Sequence, residues 1–181
     1  MTQHLELSSA SPWVARFAPL IPAGGEVLDL ASGGGRHTRL LAGQGYRVEA
    51  VDRATDDLAD LARIPGVTVR TADLEDGPWP YGGRRFAGVV VTNYLHRPRL
   101  ADLLATLDDP GVLIYETFML GNERYGRPAS PEFLLCPQEL LQVAANAGLR
   151  VLAFEEGYVG RPKPALVQRL CAVRGEVAAR L

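Results

Sequence analysis

Acidic side chains around a run of glycines are the residues whose types and spacing suggest chemistry in this sequence. Asp29 closes an apolar stretch, and three consecutive glycines follow at positions 33–35. Asp52 and Asp73 each follow a further apolar stretch. Glycine allows a backbone to turn sharply and to approach a ligand closely. Turns of this kind after a strand bind several cofactors or no ligand at all, so the flanking residues must decide between them.

Two common glycine-rich motifs do not fit the turn at 33–35. A P-loop requires lysine followed by serine or threonine after its last glycine, whereas arginine and histidine follow here. A dinucleotide fingerprint requires a third glycine for close packing of helix on strand, and Thr38 occupies that position. The charge of Asp29 would repel a pyrophosphate and attract a ligand that carries positive charge. The turn therefore favours a cationic ligand.

The segment VLDLASGGG, residues 27–35, resembles the first motif of the class I S-adenosylmethionine-dependent methyltransferases, whose pattern is hhDhGxGxG. Asp29 matches the motif's acid, Ala31 its first glycine, and Gly33 and Gly35 its second and third glycines. Alanine at the first glycine is a mild departure that narrows the freedom of the turn. The resemblance covers roughly residues 24–117, and at the subfamily level the chain looks like compact bacterial enzymes of the tellurite-resistance and thiopurine type.

This resemblance implies S-adenosyl-L-methionine as the cofactor and S-adenosyl-L-homocysteine as the product. Asp52 would accept hydrogen bonds from both ribose hydroxyls, and Asp73 one from the adenine amino group. A nicotinamide-dependent dehydrogenase also uses an acid at the position of Asp52, but it requires none at Asp73. The predicted cofactor-binding residues are Asp29, Ala31, Ser32, Gly33, Gly35, His37, Asp52, Arg53, Asp73, Leu74 and Asn93.

The candidate catalytic residues are His96, Tyr94 and Glu116. His96 is the best-placed general base because histidine titrates near neutral pH, although capping of the next helix is an equal alternative. Asn93 or Tyr94 would hydrogen-bond the methionine part of the cofactor. Glu116 ends a predicted strand and would face the same crevice, with an ion pair to a loop arginine as the alternative. Methyl transfer itself needs mainly alignment and exclusion of water.

The segment 118–136 is long, irregular and mixed in chemistry, and loops of this length are usually functional or disordered. Its interspersed apolar side chains argue against disorder. We expect it to cover the methyl acceptor, with Asn122, Arg124 and Tyr125 as substrate-binding residues. The segment 92–98 lacks the proline pair of enzymes that methylate amino groups of nucleic acids. With a net charge of −2, this favours a small-molecule acceptor over nucleic acid.

Other functions remain open from the sequence alone. An RNA or protein methyltransferase is the competing enzyme, followed by an NAD(P)-dependent oxidoreductase and a non-catalytic cofactor-binding protein. No apolar run approaches the roughly 20 residues that span a bilayer, and the first residues do not resemble a secretory signal. We therefore expect a cytoplasmic monomer or homodimer that uses no metal, with Cys136 and Cys171 as buried reduced thiols.

Alternation of strand and helix patterns predicts how these residues are positioned. The expected architecture is one domain over residues 1–181, a Rossmann-like three-layer α/β/α sandwich. Its seven-stranded sheet is mostly parallel with an antiparallel last strand, and the expected strands are 26–30, 47–51, 67–71, 86–91, 112–117, 150–155 and 166–173. A turn, DDPG at 108–111, should introduce the fifth strand.

Helix signals fill the gaps between these strands. Ser11 and Pro12 predict a capped start for the first helix, in which Trp13 and Phe17 share a face. Further helices are expected over 36–42 and from 137 to 148. Another should begin after a cap at Thr55, with acids at 56 and 57 in its first turn. A leucine stripe that ends at Leu107 predicts one more.

Overall fold

The computed structural model describes residues 9–54 and 58–178, and it contains seven strands and five α-helices in that part of the chain. The strands are β1 (Glu26–Leu30), β2 (Arg47–Asp52), β3 (Val67–Thr71), β4 (Phe86–Thr92), β5 (Leu107–Phe118), β6 (Arg150–Val159) and β7 (Ala165–Arg174). The helices are α1 (Pro12–Phe17), α2 (Arg36–Gly43), α3 (Leu58–Leu61), α4 (Leu100–Ala105) and α5 (Glu139–Asn146), with single turns of 3₁₀ helix at Ala18–Leu20, Arg97–Arg99, Asn122–Arg124 and Pro131–Phe133.

All seven strands form one sheet in the order β3-β2-β1-β4-β5-β7-β6. β7 runs antiparallel to both of its neighbours, and the pairs among β1 to β5 are parallel. This confirms the predicted fold class. The strand order reverses between β1 and β4, and such a reversal opens a crevice at the carboxyl ends of the strands where ligands bind in open α/β sheets.

Apolar side chains cover both faces of the central strands, which explains why those strands lack strict alternation in sequence. Leu28 and Leu30 of β1 belong to one buried cluster, whereas Val27 belongs to the cluster on the opposite face. Helix α1 packs on the second face, where the Trp13 indole N–H donates to the carbonyl of Leu170 at 3.2 Å. The sheet is therefore a rigid layer whose carboxyl edge positions the loops.

The beginning of helix α1 agrees with its sequence signals. The Ser11 hydroxyl accepts from the Trp13 N–H, and Pro12 is the first helical residue. The Trp13 and Phe17 rings lie 4.6 Å apart between centroids. The predicted cap at Thr55, with the acids at 56 and 57, lies outside the described residues.

Strand β5 is longer than predicted, and the expected turn at 108–111 lies within it. Phe86 pairs with Leu107 and Gly88 with Val112, so the register with β4 shifts at this point. Leu107 was predicted as the last residue of a helix stripe and instead begins the strand. The reason is that α4 ends at Ala105, and the hydroxyl of the next residue, Thr106, donates to the Leu103 carbonyl at 2.6 Å.

Two further observations concern the expectations about cysteines and membranes. Cys171 is buried as predicted, but the prediction was wrong for Cys136, which is exposed. Within residues 9–54 and 58–178, no helix has the length and hydropathy needed to cross a membrane.

Candidate functional site

A cavity of about 280 Å³ lies at the carboxyl edge of the sheet, beside the ends of β1 to β4. It is lined by Ala31, Asp52, Arg53, Ala72, Asp73, Leu74, Glu75, Asn93 and Tyr94. The structure thus brings together six of the predicted cofactor-binding residues and one predicted catalytic residue. Sequence reasoning missed Ala72 and Glu75, whose positions beside Asp73 were the available signal.

The glycine turn after β1 bends by means of three residues with left-handed backbone conformation. Ala31 has φ +56°, Gly33 φ +51° and Gly35 φ +72°. A β-carbon on Gly33 would meet no atom within 4 Å, so open space lies in front of the turn there. A β-carbon on Gly35 would collide with the side chain of Leu61. Gly35, predicted to bind cofactor, is therefore required for the packing of α3 against the turn.

Asp52 holds this turn to the end of β2. One carboxylate oxygen accepts from the Gly33 N–H at 2.8 Å, and the other accepts from the Ala54 N–H at 3.0 Å. An ionised carboxylate offers about four acceptor positions. Two backbone bonds therefore fix the orientation of Asp52 and leave acceptor capacity that faces the cavity.

Asp73 is held in a similar way after β3. Its Oδ1 accepts from the backbone N–H groups of Glu75 and Asp76 at 2.9 and 3.3 Å. These bonds lower the pKa of Asp73 below its ordinary value, because they stabilise the charged form. Asp73 is thus an oriented, ionised carboxylate at the cavity edge.

Asp29 differs from the prediction, since it lies beneath the turn rather than on the cavity wall. It is 1 % exposed, and its Oδ2 accepts from the Thr38 hydroxyl at 2.6 Å. Burial raises the pKa of Asp29 to about 6. Its carboxyl group therefore supports the start of α2 and does not face a ligand directly.

His37 and Ser32 also lie within the protein rather than on the cavity wall. The His37 ring accepts from the Ser11 N–H through Nε2 at 3.0 Å, and its Nδ1 lies 3.3 Å from the Thr92 hydroxyl. Burial lowers the pKa of His37 to about 3, so the ring is neutral. Ser32 is buried, and its hydroxyl has no hydrogen-bond partner among the described residues. His37 is thus a structural link between the first helix and the sheet.

Asn93 and Tyr94 follow β4 and form the boundary of the cavity. Asn93 adopts φ +54°, and its N–H donates to the Glu116 carbonyl at 2.9 Å. The Tyr94 hydroxyl oxygen is buried without a hydrogen-bond partner in the described part of the chain. Burial, together with the charges of Glu75 and Asp73, raises the pKa of Tyr94 to about 12. The hydroxyl is therefore protonated at neutral pH and available as a donor.

A second cavity of about 230 Å³ adjoins the first. It is lined by Glu75, Asn93, Tyr94, Leu95, Thr117, Phe118, Pro128 and Phe133, so three residues are common to both cavities. The segment 118–136 does form one wall, as expected, but it does so through Phe118, Pro128 and Phe133. The two cavities meet at Tyr94, which lines both.

The predicted substrate-binding residues of this segment are located elsewhere. Asn122 is buried, where its amide donates to the Pro128 carbonyl at 3.1 Å and accepts from the Leu166 N–H at 3.2 Å. Arg124 is exposed, and the exposed Tyr125 ring contacts the ring of Tyr158. None of the three lines either cavity. Asn122 shapes the segment because its amide bonds satisfy backbone groups.

Two predicted catalytic residues also lie outside the lining of both cavities. His96 occupies the N-cap position of the 3₁₀ turn Arg97–Arg99, where its carbonyl accepts from the Arg99 N–H but its side chain makes no capping hydrogen bond with the described residues. The Glu116 carboxylate pairs with Arg169 at 2.5 Å. Glu116 does form an ion pair, but its partner belongs to strand β7 and not to a loop.

No family model and no curated protein matches this sequence. Solved structures do match its fold. TehB from Haemophilus influenzae is similar with a TM-score of 0.73 and 18 % identity, over 92 % of this chain and 63 % of that protein. The chain thus spans less than two thirds of the length of TehB.

Two further neighbours were solved with ligands. The Burkholderia thailandensis 1,6-didemethyltoxoflavin-N1-methyltransferase, with bound 1,6-didemethyltoxoflavin and S-adenosylhomocysteine, has a TM-score of 0.69 and 22 % identity over 91 % of this chain and 77 % of its own. The glycopeptide N-methyltransferase MtfA, complexed with sinefungin, has a TM-score of 0.65 and 18 % identity, over 96 % of this chain and 98 % of its own. These likenesses show that the chain has the fold of the class I S-adenosylmethionine-dependent methyltransferases.

Proposed function

We propose that this chain, which has the class I methyltransferase fold, is an S-adenosylmethionine-dependent methyltransferase that acts on a small molecule. The observation that carries the proposal is the placement of Asp52 and Asp73 on one cavity at the crevice of the sheet. Both carboxylates are oriented by backbone N–H groups, and Ala31 of the glycine turn lines the same cavity. The proposal includes a single domain that acts in the cytoplasm as a monomer or homodimer.

The residues of the first cavity fit the parts of this cofactor. Asp52 retains acceptor capacity for the ribose hydroxyls, and Asp73 with Leu74 would hold the adenine ring. The open turn at Gly33, together with Asn93, would take the methionine end. Asp29 and His37 contribute through the fold of the turn, because both are buried beneath it.

When bound, the cofactor supplies a methyl group already activated by the sulfonium, so the protein needs mainly to align the acceptor and exclude water. Tyr94 lines both cavities, and its raised pKa keeps the hydroxyl protonated. This favours a role for Tyr94 as a hydrogen-bond donor that positions a ligand rather than as a general base.

The second cavity supports the small-molecule part of the proposal. Half of its lining residues are apolar, and it is connected to the first cavity by three shared residues. Small-molecule sites combine apolar walls with a few placed polar groups. Among the structural neighbours, the Burkholderia thailandensis enzyme was solved with a small molecule and S-adenosylhomocysteine bound.

Calorimetry with S-adenosylhomocysteine tests the proposal directly. We expect saturable binding of this ligand, and no comparable heat from NAD at the same concentration. Incubation with S-adenosylmethionine labelled in the methyl group and a metabolite mixture should then yield a labelled small product. A folded protein that binds no S-adenosylhomocysteine at millimolar concentration would contradict the proposal.

Replacement of Asp52 by alanine should weaken S-adenosylhomocysteine binding about tenfold or more, because charge-assisted hydrogen bonds to the ribose are lost. The Gly33 N–H also loses its acceptor, so the turn that faces the ligand is released. Asp60→Ala is the matched control, since Asp60 is an exposed carboxylate on α3 that pairs with Arg63. Equal affinity of the Asp52→Ala and Asp60→Ala proteins would show that Asp52 does not hold the ligand.

A further inference from the structure

The second cavity combines apolar walls with a single charged side chain. Of the described residues that line it, only Glu75 carries a formal charge, while Leu95, Phe118, Pro128 and Phe133 are apolar. Asn93, Tyr94 and Thr117 supply the neutral polar groups. A ligand there would therefore meet four apolar side chains, neutral polar groups, and a carboxylate where the two cavities join.

Two arginines that closely follow the lining residue Leu95 in the sequence, Arg97 and Arg99, have acidic partners. The Arg97 guanidinium donates twice to the Glu139 carboxylate at 2.7 and 2.8 Å. Arg99 pairs with Asp102 at 3.0 Å and also donates to the Gly77 carbonyl. Arg53 lines only the first cavity. No cationic side chain is thus among the described residues that line the second cavity.

We propose that the second cavity binds the methyl acceptor, and that this acceptor is a compact ring compound with an N–H group rather than a carboxylate or phosphate. The inference rests on the proposed methyltransferase function. Glu75 would accept a hydrogen bond from the acceptor N–H and repel an anion. The Phe118 and Phe133 side chains would pack against the ring.

The position of Glu75 also suits the charge that develops during transfer. The lone pair of the acceptor nitrogen forms the new C–N bond while the C–S bond of the donor breaks, and the pair of that bond stays on sulfur. The nitrogen thereby becomes positive, and the sulfur becomes a neutral thioether. Glu75 is exposed, so its carboxylate could approach the nitrogen from the open side, stabilise this charge and pass the N–H proton to water.

The test compares ligands of matched shape in protein saturated with S-adenosylhomocysteine. All three ligands carry the same ring: aniline adds a neutral N–H group, benzylamine a cation and benzoate an anion. We expect aniline and benzylamine to bind about tenfold more tightly than benzoate, as ligand-observed NMR titration measures. The Glu75→Gln protein should lose most of this preference, whereas Glu132→Gln, an exposed carboxylate of the same wall, should retain it.

Phe133→Ala provides a second variant that removes apolar wall and leaves charge unchanged. It should weaken the binding of aniline and benzylamine without changing the affinity for S-adenosylhomocysteine. Three results would overturn the inference. Benzoate could bind as tightly as aniline, the preference for amines over benzoate could survive in Glu75→Gln, or neither amine could bind at millimolar concentration. Failure of S-adenosylhomocysteine itself to bind would instead remove the proposed function, so the two failures are distinguishable.

Discussion

The candidate site has two walls that are held in place by different means: the first wall carries Asp52 and Asp73, and the second wall is formed by segment 118–136. The wall of the first cavity is built by neighbouring backbone: Asp52 accepts from Gly33 and Ala54, and Asp73 accepts from residues two and three positions later. The wall formed by segment 118–136 is fastened by side chains from distant parts of the chain. The first wall is thus a property of strand ends and turns, whereas the second depends on long-range hydrogen bonds.

Three polar side chains fasten the second wall through its carbonyl groups. Arg97 donates to the carbonyls of Glu132 and Leu134 at 2.9 and 2.8 Å. The fully buried Gln168 donates to the Cys136 carbonyl at 2.5 Å and accepts from the Leu140 N–H. Asn122 acts within the segment, where it donates to the Pro128 carbonyl. An irregular segment of this length keeps its shape because its backbone groups are satisfied in this way.

The largest expected effects concern two buried titratable groups beneath the first wall, Asp29 and His37. Burial raises the pKa of Asp29 from 3.8 to about 6 in the folded protein. Between pH 4 and 6 this group is protonated in the folded protein and ionised in the unfolded chain, so folding takes up a proton. Its contribution to the free energy of unfolding therefore falls by about 1.4 kcal/mol per pH unit as pH rises through this range. Asp29→Asn, which does not titrate, should therefore gain about 3 kcal/mol relative to wild type between pH 4 and 7, measured by urea unfolding.

His37 provides the control of opposite sign. Burial lowers its pKa from 6.5 to about 3, so its contribution to stability is lost as pH falls below 6.5. His37→Gln should therefore gain stability relative to wild type as pH falls, while Asp29→Asn gains as pH rises. A pH-independent difference between Asp29→Asn and wild type would show that Asp29 ionises as freely as an exposed carboxyl group.

Loss of Arg97 should destabilise the second wall and weaken ligand binding there, while the first wall keeps its structure. Arg97→Met removes the donors to Glu139 and to two carbonyls of the wall, while it keeps much of the side-chain volume. We expect about 2 kcal/mol lower stability, since the pair is only partly shielded from water. Binding of aniline should weaken, whereas affinity for S-adenosylhomocysteine should stay within about twofold in calorimetry.

Arg124→Met is the matched control for this variant, because Arg124 is an exposed arginine of the same segment. It should leave both stability and ligand binding unchanged within error. If Arg97→Met weakens S-adenosylhomocysteine binding as strongly as it weakens aniline binding, the two walls are coupled and the distinction between them fails.

The same distinction explains what sequence reasoning predicts well. Asp52, Asp73 and Asn93 follow apolar strands whose order could be inferred, and parallel strands bring their carboxyl ends to one edge. Asn122 was predicted to bind substrate because a polar residue in a loop looks available. Its partners include Leu166, which lies 44 positions away, and no local pattern reveals such a bond. The burial of Asp29 was missed for a related reason, since it depends on how α2 packs against the strand, with the Thr38 hydroxyl on its carboxylate.

The smallest expected effect belongs to Ala31, the residue at which the glycine turn departs from the methyltransferase motif. Its φ of +56° lies in the left-handed region that disfavours a β-carbon by roughly 1–2 kcal/mol. Ala31→Gly removes this strain but adds freedom to the unfolded chain, so we expect a gain of about 1 kcal/mol or less in thermal unfolding. Ala72→Gly on the same cavity should instead destabilise, because Ala72 is not among the residues of positive φ. If Ala31→Gly also destabilises, the alanine methyl group packs favourably enough to offset its strain, and the turn is built around it.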